Sequence, residues 1–260
     1  GRLRSLLEKF KGFMALLSFL TIIPTGVHDL ESASKLFYLT PIVGLLEGSI
    51  ATIPILLNAP IYVKAALILV VSYLITGFSH LDGFADFADA LGSGRSGEDA
   101  LKIMKEPGRG AISTAATALL IIVVYSSLVA LVAEGWWDII ILSHVSASES
   151  MYLLAVVSTP PSYHGLGRDF VIESKHGAKV AINLLAVGAI FLAIAYIRRD
   201  TICHQLTMIA STIVAVIYTR VKSHRVLGFA NGDVLGFCYE LAKAAALISS
   251  ATLTSLWIGP

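Results

Sequence analysis

The stretch from Ile61 to Leu91 reads IYVKAALILVVSYLITGFSHLDGFADFADAL, an apolar run followed at once by a segment with three aspartates. The run Ile61–Ile75 has the composition of a helix buried in a membrane. The whole chain shares this character, since its 260 residues are 56% hydrophobic and only 14% charged. Such a composition indicates a polytopic helical membrane protein and excludes an ordinary soluble domain.

Seven apolar segments predict membrane-crossing helices, the clearest being 110–133, which contains no charged residue. The predicted spans are residues 36–57, 61–78, 110–133, 139–158, 179–197, 205–219 and 236–257. Residues 1–24 interleave basic residues with leucines and then become apolar, which predicts an amphipathic interfacial or re-entrant helix. The predicted fold is therefore all-α: a single integral membrane domain over residues 1–260, with about seven transmembrane helices in a bundle over residues 36–257.

Lysines and arginines are distributed unequally between the two sides of this predicted bundle. Fifteen of the nineteen fall on one side when Lys179 at the membrane edge is included, Lys64, Arg198 and Arg199 fall on the other, and Lys243 lies inside the last span. The basic side carries residues 1–35, 79–109, 159–178 and 220–232. Because loops rich in Lys and Arg stay in the cytoplasm, we expect a multi-pass protein of the cell membrane with this side facing the cytoplasm.

The three aspartates Asp82, Asp86 and Asp89 stand at i, i+4 and i+7. On a helix their carboxylates fall within an arc of roughly 60°. Carboxylates so placed repel one another unless a cation lies among them, and hard oxygen ligands suit Mg²⁺. The alternative is a solvated helix start with Asp82 as its N-cap. The metal site is favoured, because acids next to a membrane span are costly and usually functional.

A basic segment in the same loop, with Lys102, Lys105 and Arg109, is suited to bind phosphate oxygens. For a single lysine here, an ordinary positive cytoplasmic loop is the better interpretation. Arg109 is the exception, because it stands between Gly108 and Gly110, and glycines permit a close approach of the backbone.

A second acidic site is predicted at the start of the last span. Asp233 and Glu240 are seven residues apart and so share one helix face. The alternative interpretation, equally supported by the spacing, is an N-cap at Asp233 and an ion pair of Glu240 with Lys243 or Lys222. Glu47 and Glu149 lie in mid-span, where we expect buried hydrogen-bonded structural groups, and Gly44 and Gly48 predict close helix packing beside Glu47.

Six short segments, in order along the chain, resemble one family. They are Leu17-Ser-Phe-Leu-Thr21 with Pro24, Pro41–Leu46 with Gly48, His80-Leu-Asp-Gly-Phe-Ala-Asp86 with Asp89, Ile103-Met-Lys-Glu106 leading to Gly110, Gly165-Leu-Gly167, and Gly232-Asp-Val-Leu-Gly236 with Glu240-Leu241. The family is cobalamin synthase, the adenosylcobinamide-GDP ribazoletransferases. The HLDGxAD and GDxxGxxxxEL patterns are the specific ones, and the others are weak on their own.

The chain departs from the family pattern at three places. The family's Asp-Ser-Arg-x-Gly segment appears as Glu106-Pro-Gly-Arg109-Gly110, with the arginine displaced by one position. A Ser-Arg pair is replaced by Ser146-Ala147, and Lys243 stands where the family has an acid. These departures affect the residues expected to bind phosphate and leave the acidic centre in place.

The resemblance implies a phosphoryl transfer at a diphosphate. The hydroxyl of α-ribazole, or of its 5′-phosphate, attacks the cobinamide-linked phosphate of adenosylcobinamide-GDP; GMP leaves, and adenosylcobalamin or its 5′-phosphate forms. Such chemistry depends on charge neutralisation and in-line positioning. The resulting expectations are catalytic residues Asp82, Asp86, Asp233 and Glu240, substrate-binding residues His80, Lys105, Arg109 and Asn231, and Mg²⁺ held by Asp82, Asp86 and Asp89.

Two other classes remain as alternatives. A CDP-alcohol phosphotransferase would use the same physics, but its pattern needs an aspartate pair three apart followed by Ala-Arg, and here the spacing is four and then three. A secondary transporter would explain Glu47 and Glu149, yet no inverted repeat is visible. We expect the two substrates and membrane lipid as partners, and no nucleic acid; the sequence does not define an oligomeric state.

Overall fold

The computed structural model describes residues 1–258, in which the regular secondary structure is helical and no β-strand occurs. The helices are α1 (Arg2–Leu20), α2 (Leu30–Lys35), α3 (Thr40–Ala51), α4 (Ile61–Ile75), α5 (Ser79–Gly92), α6 (Gly97–Lys105), α7 (Ala111–Ala133), α8 (Trp137–Val157), α9 (Leu166–Glu173), α10 (Gly177–Ile197), α11 (Ile202–Val226) and α12 (Gly232–Ile258). Short 3-10 turns occupy Phe37–Leu39, Ile53–Leu56 and Arg199–Thr201.

Six helical segments in this range are long and apolar enough to cross a membrane, and a bent helix pair makes up to seven. The six are Phe37–Leu56, Ala111–Ala133, Trp137–Val157, Gly177–Ile197, Arg199–Val226 and Gly232–Trp257. The predicted all-α membrane bundle is therefore confirmed. The helix α1 is not among the six, and its exposed Leu3, Leu6 and Phe10 suit the predicted interfacial placement.

The predicted span 61–78 differs from the structure, because α4 ends at Ile75 and the chain turns by 87° into α5. The helix is closed by two backbone hydrogen bonds, from Phe78 N–H to the Tyr73 carbonyl (3.0 Å) and from Gly77 N–H to the Leu74 carbonyl (2.9 Å). Gly77 and Phe78 both have left-handed backbone angles, with φ of 61° and 59°. This pattern is a Schellman termination, and it directs the aspartates of α5 away from the axis of α4.

Helix α8 forms the centre of the bundle and packs against α3, α11 and α12. The α3 contact is close because Gly44 and Gly48 face α8: a Cβ built on either would lie 2.7 Å from a backbone carbonyl oxygen, of His144 or of Ile141. The close helix packing predicted for these two glycines is confirmed. The buried polar side chains of α8 point into the bundle, as when His144 Nε2 pairs with Ser72 Oγ at 2.9 Å.

Contacts between loops define the two ends of the bundle. At one end, Arg198 pairs with Asp138 at 3.2 Å, which joins the end of α10 to the start of α8. At the other end, the Ala230 N–H donates to the Thr159 carbonyl at 3.0 Å, and the Lys105 ammonium lies 5.0 Å from the centre of the Tyr163 ring. The loops that follow α6, α8 and α11 therefore meet at one end, as the alternating topology requires.

This arrangement predicts the labelling pattern of single cysteines. Ser93→Cys and Ser162→Cys, both at exposed positions, should react with an impermeant thiol reagent only from the cytoplasmic side, and Asn58→Cys only from the outside. The background variant lacks Cys203 and Cys238. Labelling of Ser93→Cys and Ser162→Cys from opposite sides would contradict a single site built from both loops.

Candidate active site

The two acidic motifs interlock through reciprocal glycines. A Cβ on Gly83 of α5 would lie 2.7 Å from the Asp233 carbonyl oxygen, and a Cβ on Gly236 of α12 would lie 3.1 Å from His80 backbone atoms. Each motif therefore supplies the glycine that admits the backbone of the other. This contact brings Asp82 and Asp233, 151 positions apart in the numbering, to the wall of the same cavity.

A third motif, Gly165-Leu-Gly167, packs against the start of α12. Gly167 of α9 lies against the backbone of Asn231 and Gly232 so closely that it has no room for a Cβ. The buried Asn231 accepts a hydrogen bond from Val234 N–H at 3.1 Å and donates one to the Tyr163 hydroxyl at 3.2 Å. Asn231 therefore caps α12 and anchors the 159–165 loop in this structure; its predicted substrate contact remains a prediction.

Arg109 reaches between the first two aspartates of α5. Its Nη1 donates to Asp86 Oδ1 and its Nη2 to Asp82 Oδ1, so one planar guanidinium bridges residues that are one helical turn apart. The Asp86 side chain is nearly buried, whereas those of Asp82 and Arg109 are about half-exposed. The bridge therefore lies at the rim of the bundle, where a solute can reach it.

Asp89 has a different environment from the other two aspartates. Its carboxylate accepts hydrogen bonds from the backbone N–H groups of Gly110 (2.8 Å) and Ser113 (2.9 Å). It thus satisfies free N–H groups at the start of α7, where the helix dipole favours a negative charge. Because Gly110 follows Arg109 directly, this contact also holds the arginine in position.

Asp233 completes an acidic cluster, which we define as Asp82, Asp86 and Asp233 around Arg109. Asp233 is close enough to both other carboxylates to interact with them electrostatically, and its own carboxylate accepts no hydrogen bond from the described residues. Three carboxylates surround one guanidinium, so the cluster carries an excess of negative charge that a divalent cation would neutralise. In residues 1–258, no three His, Cys, Asp or Glu side chains are already arranged around a metal position.

Asp82 lines two cavities. The first, of about 430 Å³, lies between α5 and α7 and contains Arg109, Ser113 and Thr114. The second, of about 300 Å³, contains His80 and Asp233 and is otherwise walled mainly by apolar side chains. Asp82 belongs to both linings and so stands where molecules in the two cavities would meet.

The other predicted site residues, His80, Lys105 and Glu240, have three different environments. His80 is buried, its ring lies 4.2 Å from that of Tyr239, and its Nε2 has no hydrogen-bond partner among the described residues. Lys105 lies over the Tyr163 ring and lines neither of the two cavities. Glu240 is fully buried and pairs with Lys243 at 3.1 Å. It lies two turns further along α12 than Asp233, about 10 Å deeper.

The aromatic wall of the smaller cavity was not anticipated as part of the site. Phe19, Phe37 and Phe170 come from α1, a 3-10 turn and α9, and only the fold brings them together. Phe19 lies within the Leu17–Thr21 segment of the family resemblance, which was the one available signal.

The reciprocal glycine contact leads to a stability prediction. Gly83→Ala must push α5 away from α12, because the atoms that the new Cβ meets are backbone atoms. We expect a loss of about 1–3 kcal/mol in the free energy of unfolding, with a parallel loss of turnover. Gly188→Ala in α10 is the matched control, since nothing lies within 4 Å of its Cβ position. Equal stability of the two variants, measured by thermal unfolding in lipid, would contradict the interlocked motifs.

Comparison with protein families places this site in a known context. Residues 12–251 match the family model described as cobalamin-5-phosphate synthase. The chain belongs to the cobalamin-5-phosphate synthase family. It is therefore an enzyme of cobalamin synthesis, and the resemblance inferred from its motifs is confirmed.

Several similar proteins are named adenosylcobinamide-GDP ribazoletransferase. The protein from Clostridium perfringens (strain SM101 / Type A) is 30% identical over 248 residues, which are 92% of this chain and 96% of the relative. Those from Pyrobaculum islandicum and Chlorobaculum tepidum are 30% and 29% identical, over 93% and 95% of this chain and 96% of each relative. No solved structure matches the chain.

Proposed function

We propose that the chain transfers the adenosylcobinamide-phosphate group of adenosylcobinamide-GDP to α-ribazole or its 5′-phosphate, at the cytoplasmic face of the cell membrane. The products are GMP and adenosylcobalamin or its 5′-phosphate. The family match and the relatives' name support this reaction. The observation that carries the proposal is the acidic cluster bridged by Arg109 at the rim of the bundle.

In the proposed reaction, the hydroxyl oxygen of α-ribazole forms a bond to the cobinamide-linked phosphorus. The bond from that phosphorus to the bridging oxygen of GMP breaks, and GMP leaves with the electron pair. The enzyme must neutralise the charge on the phosphate oxygens and hold the attacking and leaving oxygens in line. Arg109 suits this task, because a guanidinium has five N–H donors and the bridge to Asp82 and Asp86 uses only part of them.

The acidic cluster also fits Mg²⁺ by the chemistry of its donors. Asp82 and Asp86 would hold the ion, and their carboxylate oxygens are the ligands it prefers. When bound, Mg²⁺ neutralises charge on the phosphate oxygens. Asp89 was predicted as the third ligand, and it remains a prediction; its bonds to Gly110 and Ser113 support a role in holding Arg109.

Asp233 is our candidate for the group that takes the proton of the attacking hydroxyl. Its carboxylate faces the smaller cavity beside Asp82 and is not engaged in a hydrogen bond within the described residues. A general base needs a free acceptor near the hydroxyl, and the position of Asp233 in the lining of this cavity supports that role. Glu240 has its carboxylate directed to Lys243, which supports a structural role instead.

Of the two mid-span acids, Glu47 gives little support to the transporter alternative, whereas Glu149 departs from the expected hydrogen-bonded group, because both of its carboxylate oxygens are buried without a hydrogen-bond partner among the described residues. Glu47 accepts a hydrogen bond of 2.6 Å from the Tyr239 hydroxyl, and both groups are buried between helices. This is the behaviour of a structural group.

The test is product formation by the purified protein in lipid nanodiscs, which have no inner compartment and so report no transport. With adenosylcobinamide-GDP and α-ribazole supplied together, we expect a corrin product that contains the ribazole group, identified by mass. A CDP-linked alcohol donor should give no product. Absence of the ribazole-containing corrin, or turnover of the CDP-linked donor alone, would overturn the proposal.

A further inference from the structure

The smaller cavity beside Asp82 has an aromatic wall on one side. Phe170 lies at its centre: Phe19 stacks on it with ring centroids 5.0 Å apart and planes at 22°, and Phe37 meets it edge-on at 5.0 Å and 86°. Met151 and Leu235 add further apolar surface. Rings in these relative orientations form a wall on which a further aromatic plane can stack.

The polar groups of this cavity come from α5 and α12. Asp82, His80 and Asp233 lie together there, and the buried His80 has its Nε2 unpartnered. A ligand that combines an aromatic ring with hydroxyl groups would satisfy both sides, since hydroxyls can donate to the carboxylates and to a neutral imidazole nitrogen.

The two cavities differ in charge and in size. The larger one contains Arg109, whereas no lysine or arginine is found among the residues that line the smaller one. Anionic phosphate groups are therefore suited to the Arg109 side and an uncharged ring system to the aromatic side. The smaller cavity, of about 300 Å³, also matches a nucleoside better than a corrin with its nucleotide, because ligand pockets start at about this volume.

We propose that this aromatic cavity is the α-ribazole subsite, with the benzimidazole base against Phe19 and Phe170 and the ribose toward Asp82 and Asp233. The attacking hydroxyl then emerges beside Asp82, the residue shared with the Arg109 cavity. This assignment rests on the proposed function and adds to it the residues that select the nucleoside.

Phe19→Leu tests the subsite, because it removes the aromatic face at a partly exposed position and keeps most of the apolar volume. Loss of one base–aromatic stack should raise KM for α-ribazole roughly tenfold, with KM for adenosylcobinamide-GDP within about twofold of wild type. Phe13→Leu is the control on the same helix, since Phe13 packs on the core and lies outside the cavity. Free 5,6-dimethylbenzimidazole should inhibit competitively against α-ribazole, and Phe19→Leu should weaken that inhibition by a similar factor.

The outcomes separate the subsite from the reaction. If wild-type protein turns over and Phe19→Leu raises only the KM for α-ribazole, the assignment is supported. If wild-type protein turns over and Phe19→Leu leaves that KM unchanged, or raises both KM values equally, the subsite lies elsewhere and the proposed function stands. If wild-type protein does not turn over the two substrates, the proposed function fails and the assignment fails with it.

Discussion

Asp82→Asn should lower kcat/KM by on the order of 10³-fold while the protein still folds. The asparagine keeps the shape of the side chain and removes the charge that pairs with Arg109 and would contact Mg²⁺. Because Asp82 lines both cavities, the loss falls on the chemistry shared by the two substrates. The measurement is kcat/KM as a function of Mg²⁺ concentration, with thermal unfolding recorded on the same preparations.

The matched control for this substitution is Asp99→Asn. Asp99 is exposed at the start of α6 and has no ion pair within 4.0 Å among the described residues. We expect wild-type kinetics from it. If Asp82→Asn also shows wild-type activity and Mg²⁺ dependence, the metal site is wrong. The aspartates of α5 would then be solvated groups at the start of a helix.

Lys243→Met should be among the most destabilising single substitutions in the chain. Lys243 and Glu240 are both fully buried, 3.1 Å apart, and the Lys243 ammonium also lies 4.7 Å from the Tyr73 ring centroid. Removing the cation leaves a carboxylate without a charge partner in the bundle, at a cost of about 3–5 kcal/mol. Thermal or denaturant unfolding in lipid measures the loss.

A second substitution distinguishes this account from a catalytic role of Glu240. The double variant Lys243→Met/Glu240→Gln removes both charges and should recover most of the lost stability, together with near-wild-type turnover. Lys9→Met, at an exposed position of α1, is the control for loss of a lysine. A stable double variant without activity would show that Glu240 takes part in catalysis, as its place on the helix face of Asp233 first indicated.

The predictable part of the fold follows from hydrophobic composition. A long apolar run predicts a membrane helix from its own sequence, without knowledge of the helices that pack against it. The predicted segments 110–133 and 139–158 therefore agree with α7 and α8 to within two residues. The bend after Ile75 was missed because the apolar pattern continues through Phe78. What ends α4 is a pair of left-handed residues, one of which is a phenylalanine that carries no propensity for that conformation.

The site shows the same division between local and long-range information. Helical spacing brings Asp82, Asp86 and Asp89 onto one stripe. It does not show that Asp89 bonds to Gly110 and Ser113, because that contact depends on the position of α7 in space. Spacing likewise places Asp233 and Glu240 on one helix face. It does not show that only Asp233 lies near the cavity, with Glu240 about 10 Å deeper in the bundle. The Arg109 bridge spans 23 and 27 positions within one predicted loop, so the sequence places Arg109 near the aspartates without showing which of them it contacts. The aromatic wall joins segments far apart in the chain, so no local pattern predicts it.

The most direct test of the central claim is GMP release by the wild-type protein in lipid, measured with each component omitted in turn. The account predicts that GMP and the ribazole-containing corrin form one for one, only when adenosylcobinamide-GDP, α-ribazole and Mg²⁺ are all present. Removal of Mg²⁺ with EDTA should stop the reaction, and its return should restore it. GMP release that is independent of α-ribazole, or undiminished turnover in EDTA, would contradict a site in which the acidic cluster and Arg109 bring two substrates together.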